Sequence, residues 1–158
     1  MVQSPKFQIA VEIELNYLVT DNFRIDANIA TQDHKYDVFL WDETPNDGID
    51  NPTDFSGFEL PFSPELSWGL SLTYDQDLGA NGSLTYNVLG NYQDEAQSQP
   101  TNPIYSQLED RTLVDANITW RNIDDTYWVT IYGKNLTDET YRVGSNSCLL
   151  YTSDAADE

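Results

Sequence analysis

Four carboxylates are the residues of this chain whose types and spacing most resemble acid and base catalysis. Glu12 and Glu14 are two residues apart, and Asp26 and Asp115 lie in two separate segments of similar pattern. A hydrolase of this kind needs one carboxyl as the acid and one as the base. Residues two apart on a strand do share a face, but carboxylates in such a row are more typical of a wetted polar wall. We therefore predict no catalytic residue and no enzyme activity.

Metal and cofactor chemistry also finds little support in the sequence. His34, the only histidine, stands within the charged run QDHKYD and is interpreted as solvated. The acidic stretch from Trp41 to Asp54 lacks the ordered ligands and the final Glu of a calcium-binding hand. We predict no metal site and no cofactor.

Aromatic residues in two polar segments are the candidates for ligand contact. Tyr36, Phe39 and Trp41 lie in the first segment, and Tyr105 lies in the second. Such rings can stack on a sugar or on an aromatic chelator. They also pack against neighbouring loops, so the prediction that they bind a ligand needs a structural test.

The elements that must position these residues are strands, because apolar residues recur at every second position. Val19 is expected opposite Phe23 across a tight turn at Thr20 to Asn22, which keeps both apolar sets on one face. The fold class predicted is all-β, an antiparallel meander of about six strands. The six strands form three hairpins, which are Ile9 to Val19 with Phe23 to Ile29, Leu66 to Tyr74 with Leu84 to Tyr92, and Val114 to Trp120 with Tyr127 to Gly133.

The connections alternate in length. The three hairpin turns are short, whereas the links from about Gln32 to Ser63 and from Gln93 to Arg111 are long and polar. Transmembrane barrels pair short periplasmic turns with long extracellular loops. The sequence therefore favours a segment of a large transmembrane β-barrel in an outer membrane. A soluble β-sandwich that binds carbohydrate shows the same alternation and stays open as the competing class.

Aromatic residues of the apolar face favour the membrane interpretation. They fall near the strand ends, where a barrel places amphipathic rings at the two headgroup levels. The predicted membrane-interface residues are Tyr17, Phe23, Tyr74, Tyr86, Trp120 and Tyr127 near the short turns, and Trp68 and Tyr92 near the long links.

Composition limits the partners. With 27 Asp and Glu against 7 Lys and Arg, the net charge is -20, so nucleic acid would be repelled. No segment approaches the roughly 18 consecutive apolar residues of a spanning helix. The start, MVQSPKFQIAVEIEL, does not resemble a secretory signal. A cytoplasmic acidic β protein is the third possibility if Met1 is a genuine start.

The last eleven residues differ from everything before them. The stretch CLLYTSDAADE, Cys148 to Glu158, contains the only cysteine and resembles one reading frame of a transposase adapter used to prepare sequencing libraries. We interpret residues 148–158 as an artefactual, disordered tail and exclude them from the fold. The predicted domain is residues 1–147.

Three stretches carry a family resemblance. VEIELNYLVTDNFRI, LVDANITWRNIDDTYWV and WVTIYGKNLTDETYR resemble the C-terminal barrel half of the TonB-dependent outer-membrane receptors. The most specific part is the motif GKNLTDETY, in which a late strand ends and the chain turns. Its motif residues are Gly133, Lys134, Asn135, Leu136, Thr137, Asp138 and Tyr141. We expect Tyr132 and Lys134 to point into the barrel, Gly133 to face lipid, and Asn135 to Asp138 to turn beyond the membrane, as a strand terminus rather than a binding site.

The resemblance implies a monomeric barrel of about 22 strands with a plugged lumen, embedded in outer-membrane lipid. Such receptors import a scarce small molecule, of the siderophore, cobalamin or glycan class, with energy relayed by TonB through a plug domain. The chain departs from that pattern, because it contains neither a plug domain nor a closing strand that ends in an aromatic residue. Six strands cannot close such a barrel, so the fragment itself is expected to be inactive.

Overall fold

A six-stranded antiparallel sheet is the largest element of the protein. The computed structural model describes residues 2–5, 9–42 and 52–145. The predicted tail at 148–158 and most of the acidic stretch after Trp41 lie outside these residues. The strands in chain order are β1 (Val2–Pro5), β2 (Ile9–Thr20), β3 (Phe23–Asp33), β4 (Tyr36–Trp41), β5 (Thr53–Asp54), β6 (Leu66–Asp77), β7 (Ser83–Gln93), β8 (Ala96–Gln97), β9 (Gln107–Leu108), β10 (Arg111–Arg121) and β11 (Trp128–Gly133).

The large sheet is a meander in which each strand pairs with its neighbour in sequence. Strands β2, β3, β6, β7, β10 and β11 lie side by side in that order. The register aligns residues of like character, because a shift of one residue would move every apolar side chain to the polar face. One apolar row crosses five strands and contains Leu15, Ala27, Leu70, Gly90 and Val114. The predicted all-β meander and its three hairpins are confirmed.

The apolar face of the sheet is exposed. Ile131 is 74% exposed and Ile13 is 61% exposed. A β-sandwich would bury this face beneath a second sheet about 10 Å away, and no second sheet among the described residues covers it. The exposed apolar side chains of this face are Ile9, Val11, Ile13, Leu15, Tyr17, Ile29, Leu70, Tyr74, Val88, Ile118, Val129 and Ile131.

The first hairpin turn corrects one predicted pairing. Asp21 and Asn22 form a two-residue turn, so Thr20 rather than Val19 lies opposite Phe23. The register shifts between Leu18 and Thr20. This irregularity places one extra residue in β2 and returns its odd positions to the apolar face.

The other two turns are also short and lie at the same end of the sheet. A 3₁₀ turn at Gly79–Asn81 joins β6 to β7. The chain between β10 and β11 is held by Asn122, whose side-chain oxygen accepts the N–H groups of Thr126 and Tyr127. Tyr127 therefore belongs to the turn, and β11 begins one residue later than predicted.

The long links fold onto themselves at the other end. The first link contains β4 and β5, which form a small sheet with β1, and a single bridge joins Lys35 to Glu59. The second link contains the β8–β9 pair and a 3₁₀ turn at Ile104–Ser106. Tyr36, Phe39 and Phe55 form the buried cluster of the first link. Among the described residues, no helix has the length and apolar character to span a membrane.

Candidate functional site

Hydrogen bonds between side chains cross the polar face of the large sheet from strand to strand. The Asn87 amide donates to the hydroxyls of Ser71 at 2.9 Å and Thr73 at 3.0 Å. Asn117 in turn donates to the Asn87 side-chain oxygen at 3.4 Å. The middle of the polar face is therefore a connected wall of amides and hydroxyls.

Asp26 and Asp115 do not form a catalytic pair. Asp26 and Asp115 share one row, but β6 and β7 lie between them, so about 14 Å separates them at about 4.8 Å per strand. Paired glycosidase carboxyls lie within about 10 Å of each other. Asp26 accepts a hydrogen bond from Arg24 Nε at 2.8 Å, and Asp115 accepts the Asn135 N–H at 2.8 Å. Both carboxylates therefore form hydrogen bonds within the polar face.

A cavity of about 530 Å³ opens on the polar face toward the long links. We call it the polar-face cavity and define it by Asn28, Phe62, Gly69, Asn91, Gln93 and Arg111. Strands β3, β6, β7 and β10 form the cavity, and the first long link contributes Phe62. It combines a cation and several amides with an aromatic ring, and convergent polar groups of this kind can orient a small-molecule ligand.

Gly69 sets the depth of the cavity floor. It lies between Asn28 on β3 and Asn91 on β7 in one row of the sheet. A Cβ at Gly69 would be 2.5 Å from Asn28 Oδ1 and 3.4 Å from Asn91 Oδ1. The missing side chain therefore leaves room for two amides to converge, and amides offer both donors and acceptors.

Arg111 supplies the positive charge of the cavity. Its Nη2 donates to Gln93 Oε1 at 2.8 Å, across the β7–β10 pair. Its guanidinium carbon lies 4.6 Å from the centre of the Tyr141 ring, within the range of a cation–π interaction. The amide and the ring together hold the head of a side chain that would otherwise sample many rotamers.

Phe62 stands at the mouth of the cavity in an unusual backbone conformation. Its φ is +55°, in the left-handed region that bulky residues rarely adopt. The Phe62 N–H donates to the Gln97 carbonyl at 2.7 Å, which ties the first long link to the second. Phe62 is nevertheless 58% exposed. An exposed ring on a strained and anchored backbone is a feature often found at binding sites.

The predicted ligand-binding aromatics separate into two groups. Tyr36 is 5% exposed and Phe39 is 1% exposed, with ring centres 4.5 Å apart, so both form the core of the first link. Neither offers a ring face to a ligand, which corrects the expectation for these two residues. Trp41 is 38% exposed and Tyr105 is 45% exposed. For Trp41 and Tyr105, ligand contact stays a prediction.

His34 differs from its predicted solvated state. It is 2% exposed, and neither ring nitrogen has a hydrogen-bond partner within the described residues. The small sheet folds the first link back on the end of β3, and this burial could not be read from the surrounding charges. No group of three or more His, Cys, Asp or Glu residues that could hold a metal occurs in the described part of the chain.

One loop carboxyl has a shifted pKa. The side chain and the backbone N–H of Ser56 donate hydrogen bonds to Asp54, and they hold the pKa of this carboxyl below its ordinary value of 3.8. The N–H to Asp54 Oδ1 distance is 2.9 Å. The same serine oxygen accepts the Phe39 N–H at 3.0 Å, so Ser56 links the carboxylate to the buried cluster.

The predicted interface aromatics lie in two groups at opposite ends of the apolar face. Trp68 stacks on Tyr92 at 5.8 Å near the long links, and Tyr74 lies 6.1 Å from Tyr86 near the short turns. Trp120 donates its indole N–H to the Asn81 carbonyl at 2.9 Å, which joins the end of β10 to the turn between β6 and β7. Their contact with headgroups stays a prediction, as it does for Tyr17, Phe23 and Tyr127.

The motif GKNLTDETY ends β11 and turns the chain beside β10. Gly133 pairs with Ala116 on the apolar face, and Tyr132 pairs with Asn117 on the polar face, as expected. A Cβ at Gly133 would lie 2.6 Å from Leu136 Cδ2, so the glycine makes room for Leu136. The Leu136 N–H donates to the Val114 carbonyl at 2.8 Å.

Asn135 holds the turn together. Its φ of +49° is a conformation that Asn tolerates better than most residues. Its side chain accepts the Glu139 N–H and donates to the Glu139 carbonyl, both at 2.9 Å. The turn lies against Val114 and Asp115 near the start of β10, and its place beyond the membrane stays a prediction. The chain then runs along β10 until Tyr141 reaches Arg111 and Arg142 reaches Glu109 at 3.5 Å.

Sequence reasoning did not single out the residues of the polar-face cavity. The alternation placed Asn28 and Asn91 on the polar face, but it did not indicate that Gly69 lies between them. Finding this row requires the register between two hairpins, and side-chain alternation does not determine that register. The one available signal was Gly69 itself, because a glycine within a strand marks a close approach.

Comparisons with known proteins support the fold. No family model matches the chain. No curated protein matches it either. Among solved structures, the chain is similar to the ferric yersiniabactin uptake receptor FyuA of Yersinia pestis, with a TM-score of 0.68 and 18% identity over 85% of this chain and 19% of the receptor. It is also similar to the siderophore receptor PiuA of Acinetobacter baumannii, with a TM-score of 0.65 and 21% identity over 85% of this chain and 18% of the receptor.

The chain therefore spans about a fifth of the length of each receptor. The six-stranded meander has the fold of a segment of a large β-barrel, and this prediction is confirmed. At these identities the similarity shows the fold alone.

Proposed function

We propose that the chain is part of the barrel of a TonB-dependent receptor in the outer membrane of a Gram-negative bacterium. The receptor takes up a scarce small molecule of the siderophore, cobalamin or glycan class, and the siderophore class is favoured. Two features support the proposal, the GKNLTDETY motif of Gly133 to Tyr141 and the similarity in fold to two receptors named for siderophores.

The observation that carries this proposal is the exposed apolar face of a single-layered sheet. Five of the six strands contain 11 or 12 residues, close to the length that crosses a bilayer when tilted. In water, an apolar surface that extends across six strands would drive aggregation. In a membrane, the same surface faces lipid tails and the polar face lines the lumen.

The lengths of the connections give the orientation. Short turns of transmembrane barrels lie in the periplasm, and long loops lie outside the cell. The polar-face cavity and the exposed rings of Trp41 and Tyr105 then face the incoming ligand. TonB acts from the periplasmic side through a plug domain, which is a different part of such a receptor from the strands of this chain.

The proposed receptor is a monomer that moves its ligand without chemical change. Expressed alone, the 158-residue chain is inactive in uptake, because the outer edges of β2 and β11 have no strand beside them among the described residues. Unpaired backbone groups at such edges are costly in lipid.

Uptake by the complete receptor that contains this chain tests the proposal. Cells that express it are given ferric siderophores with radiolabelled iron, and iron accumulation is compared with that of cells lacking TonB. We expect accumulation only where both receptor and TonB are present. Equal accumulation without TonB, or recovery of the receptor in the soluble fraction, would contradict the proposal.

A further inference from the structure

Arg111 differs from the other three arginines of the chain in what it contacts. Arg24 pairs with Asp26 at 2.8 Å, Arg121 with Asp125 at 3.0 Å and Arg142 with Glu109 at 3.5 Å. Arg111 instead contacts a neutral amide and an aromatic ring, and no salt bridge to it forms within the described residues. Its positive charge is therefore not neutralised by a carboxylate at short range.

The acidic character of the rest of the polar face makes Arg111 selective for anions. The polar face carries Glu12, Glu14, Asp26 and Asp115, and the chain as a whole has a net charge of -20. An anion approaching this face is repelled except where a cation is available. A guanidinium has five N–H donors, and the contact with Gln93 uses one of them. The remaining donors suit the two oxygens of a carboxylate or a similar oxyanion.

The position of Arg111 depends on the motif that ends β11. Asn135 turns the chain beside β10 through its two hydrogen bonds with Glu139. That turn directs the following residues along β10 and brings the Tyr141 ring to 4.6 Å from the guanidinium. The last residue of the motif thus contacts the one cation that lines the described polar-face cavity.

We propose that Arg111 binds an anionic oxygen group of the imported ligand and that Tyr141 is a positioning residue for Arg111. This inference rests on the proposed uptake function and names the ligand chemistry of the same site. Asn28 and Asn91 supply hydrogen bonds at the floor, and the exposed Phe62 ring supplies a stacking surface at the mouth. The ligand class is an anionic iron chelate that carries carboxylate or aryl-oxygen groups.

The test uses the complete receptor in detergent and three iron chelates of different charge. Ferric tris-catecholate and ferric citrate are anionic, and ferrioxamine B is cationic. Equilibrium dialysis with radiolabelled iron measures the binding of each chelate to the wild type and to Arg111→Gln, Tyr141→Leu and Tyr141→Phe. Arg121→Gln, which removes a cation near the short turns, is the matched control.

We expect Arg111→Gln to weaken binding of at least one anionic chelate by about tenfold, which is the loss typical of a charged hydrogen bond. Arg111→Gln should bind ferrioxamine B as tightly as the wild type does. Arg121→Gln should bind all three chelates as tightly as the wild type does. Tyr141→Leu should weaken the same anionic chelate by about threefold, and Tyr141→Phe should restore it, because the ring rather than the hydroxyl contacts Arg111. Added salt should reduce the difference between wild type and Arg111→Gln.

Two results would overturn the inference while leaving the uptake function intact. One is unchanged binding of the anionic chelates by Arg111→Gln. The other is an equal loss for anionic and cationic chelates, which would indicate a structural role. If the wild type binds none of the three chelates and cells import none of them, the proposed uptake of iron chelates fails, and the inference fails with it.

Discussion

Asp54 and Ser56 show how one residue sets the charge of a loop carboxyl. The Ser56 hydroxyl and N–H favour the ionised form, so the pKa of Asp54 lies below 3.8. This contribution to stability is present above pH 3.8 and is lost as the pH falls through the lower folded value. Ser56→Ala removes the hydroxyl donor and retains the N–H, so we expect the pKa of Asp54 to rise part of the way to 3.8.

The carboxyl NMR chemical shift of Asp54, followed against pH in the complete receptor, measures this change. Ser63→Ala is the matched control, because the Ser63 hydroxyl donates to a carbonyl, that of Pro61, at 3.2 Å. An unchanged pKa of Asp54 in Ser56→Ala would assign the shift to the backbone N–H alone.

Trp41 and Tyr105 are the predicted loop aromatics that still offer a ring to solvent. If either ring stacks on the ligand, Trp41→Ala or Tyr105→Ala should weaken binding of ferric tris-catecholate by about threefold to tenfold. Ile104→Ala is the control, because Ile104 is 93% exposed beside Tyr105 and carries no ring. Equilibrium dialysis measures the affinities. If all three variants bind the chelate as tightly as the wild type, neither Trp41 nor Tyr105 contacts the ligand.

At the residue scale, the burial of a loop aromatic was the feature least predictable from the sequence. Tyr36, Phe39 and Trp41 lie within six residues of one strand, yet two are buried and one is partly exposed. Phe55 lies in a later part of the first link, and its ring centre is 5.7 Å from that of Phe39, so Phe55 helps to bury Phe39. The local sequence does not indicate which ring of β4 a later part of the link will cover.

Among the elements, the turn that begins at Asn135 connects the motif to the site. Asn135→Ala removes both hydrogen bonds to Glu139 and places alanine at a positive φ. We expect the local opening free energy to fall by about 2 kcal/mol, so the Glu139 amide should exchange about thirtyfold faster with deuterium.

Two variants separate the causes of this effect. Asn135→Gly relieves the backbone strain but lacks the amide, so its exchange should lie between wild type and Asn135→Ala. Thr137→Ala changes an exposed neighbour and should leave exchange unchanged. Wild-type protection of Glu139 in Asn135→Ala would show that the backbone bond from Leu136 to Val114 is sufficient to hold the turn.

Period-two alternation predicted the strands well because each apolar side chain must reach one face. The ends of strands were less certain: Tyr127 continues the apolar pattern, yet Asn122 holds it in the turn. The register between hairpins could not be predicted at all. A slip of two residues between β3 and β6 would still keep Phe23 and Tyr74 on the apolar face, so alternation does not select the observed pairing.

At the scale of the whole molecule, the sheet separates two environments. Its apolar face carries exposed aliphatic residues between two levels of aromatic pairs, and its polar face carries the hydrogen-bonded wall and the cavity. A single layer with no described partner on the apolar face is consistent with lipid on one side and a lumen on the other. The strand carboxylates Glu12, Glu14, Asp26 and Asp115 then lie on the polar face, where water is available.

Val88 and Leu89 allow this two-sided arrangement to be tested with neighbouring residues. Val88 lies on the apolar face between Leu72 and Ala116, whereas Leu89 lies on the polar face between Ser71 and Asp115. Arginine at a lipid-facing position near the bilayer centre costs about 2–4 kcal/mol. We therefore expect Val88→Arg to lower the unfolding free energy of the complete receptor by about that amount. Leu89→Arg, near the carboxylate of Asp115, should be tolerated.

Denaturant unfolding of the receptor in lipid vesicles measures both variants under the same conditions. Because each variant replaces one aliphatic residue by arginine in the same strand, strand propensity, whose whole scale spans about 1 kcal/mol, cannot explain a difference of about 2–4 kcal/mol between them. If lipid does not face Val88, the exposed side chain at this position should accept arginine as readily as any surface residue. If both variants change the unfolding free energy equally, lipid does not face Val88. The apolar face of the sheet would then be covered by protein.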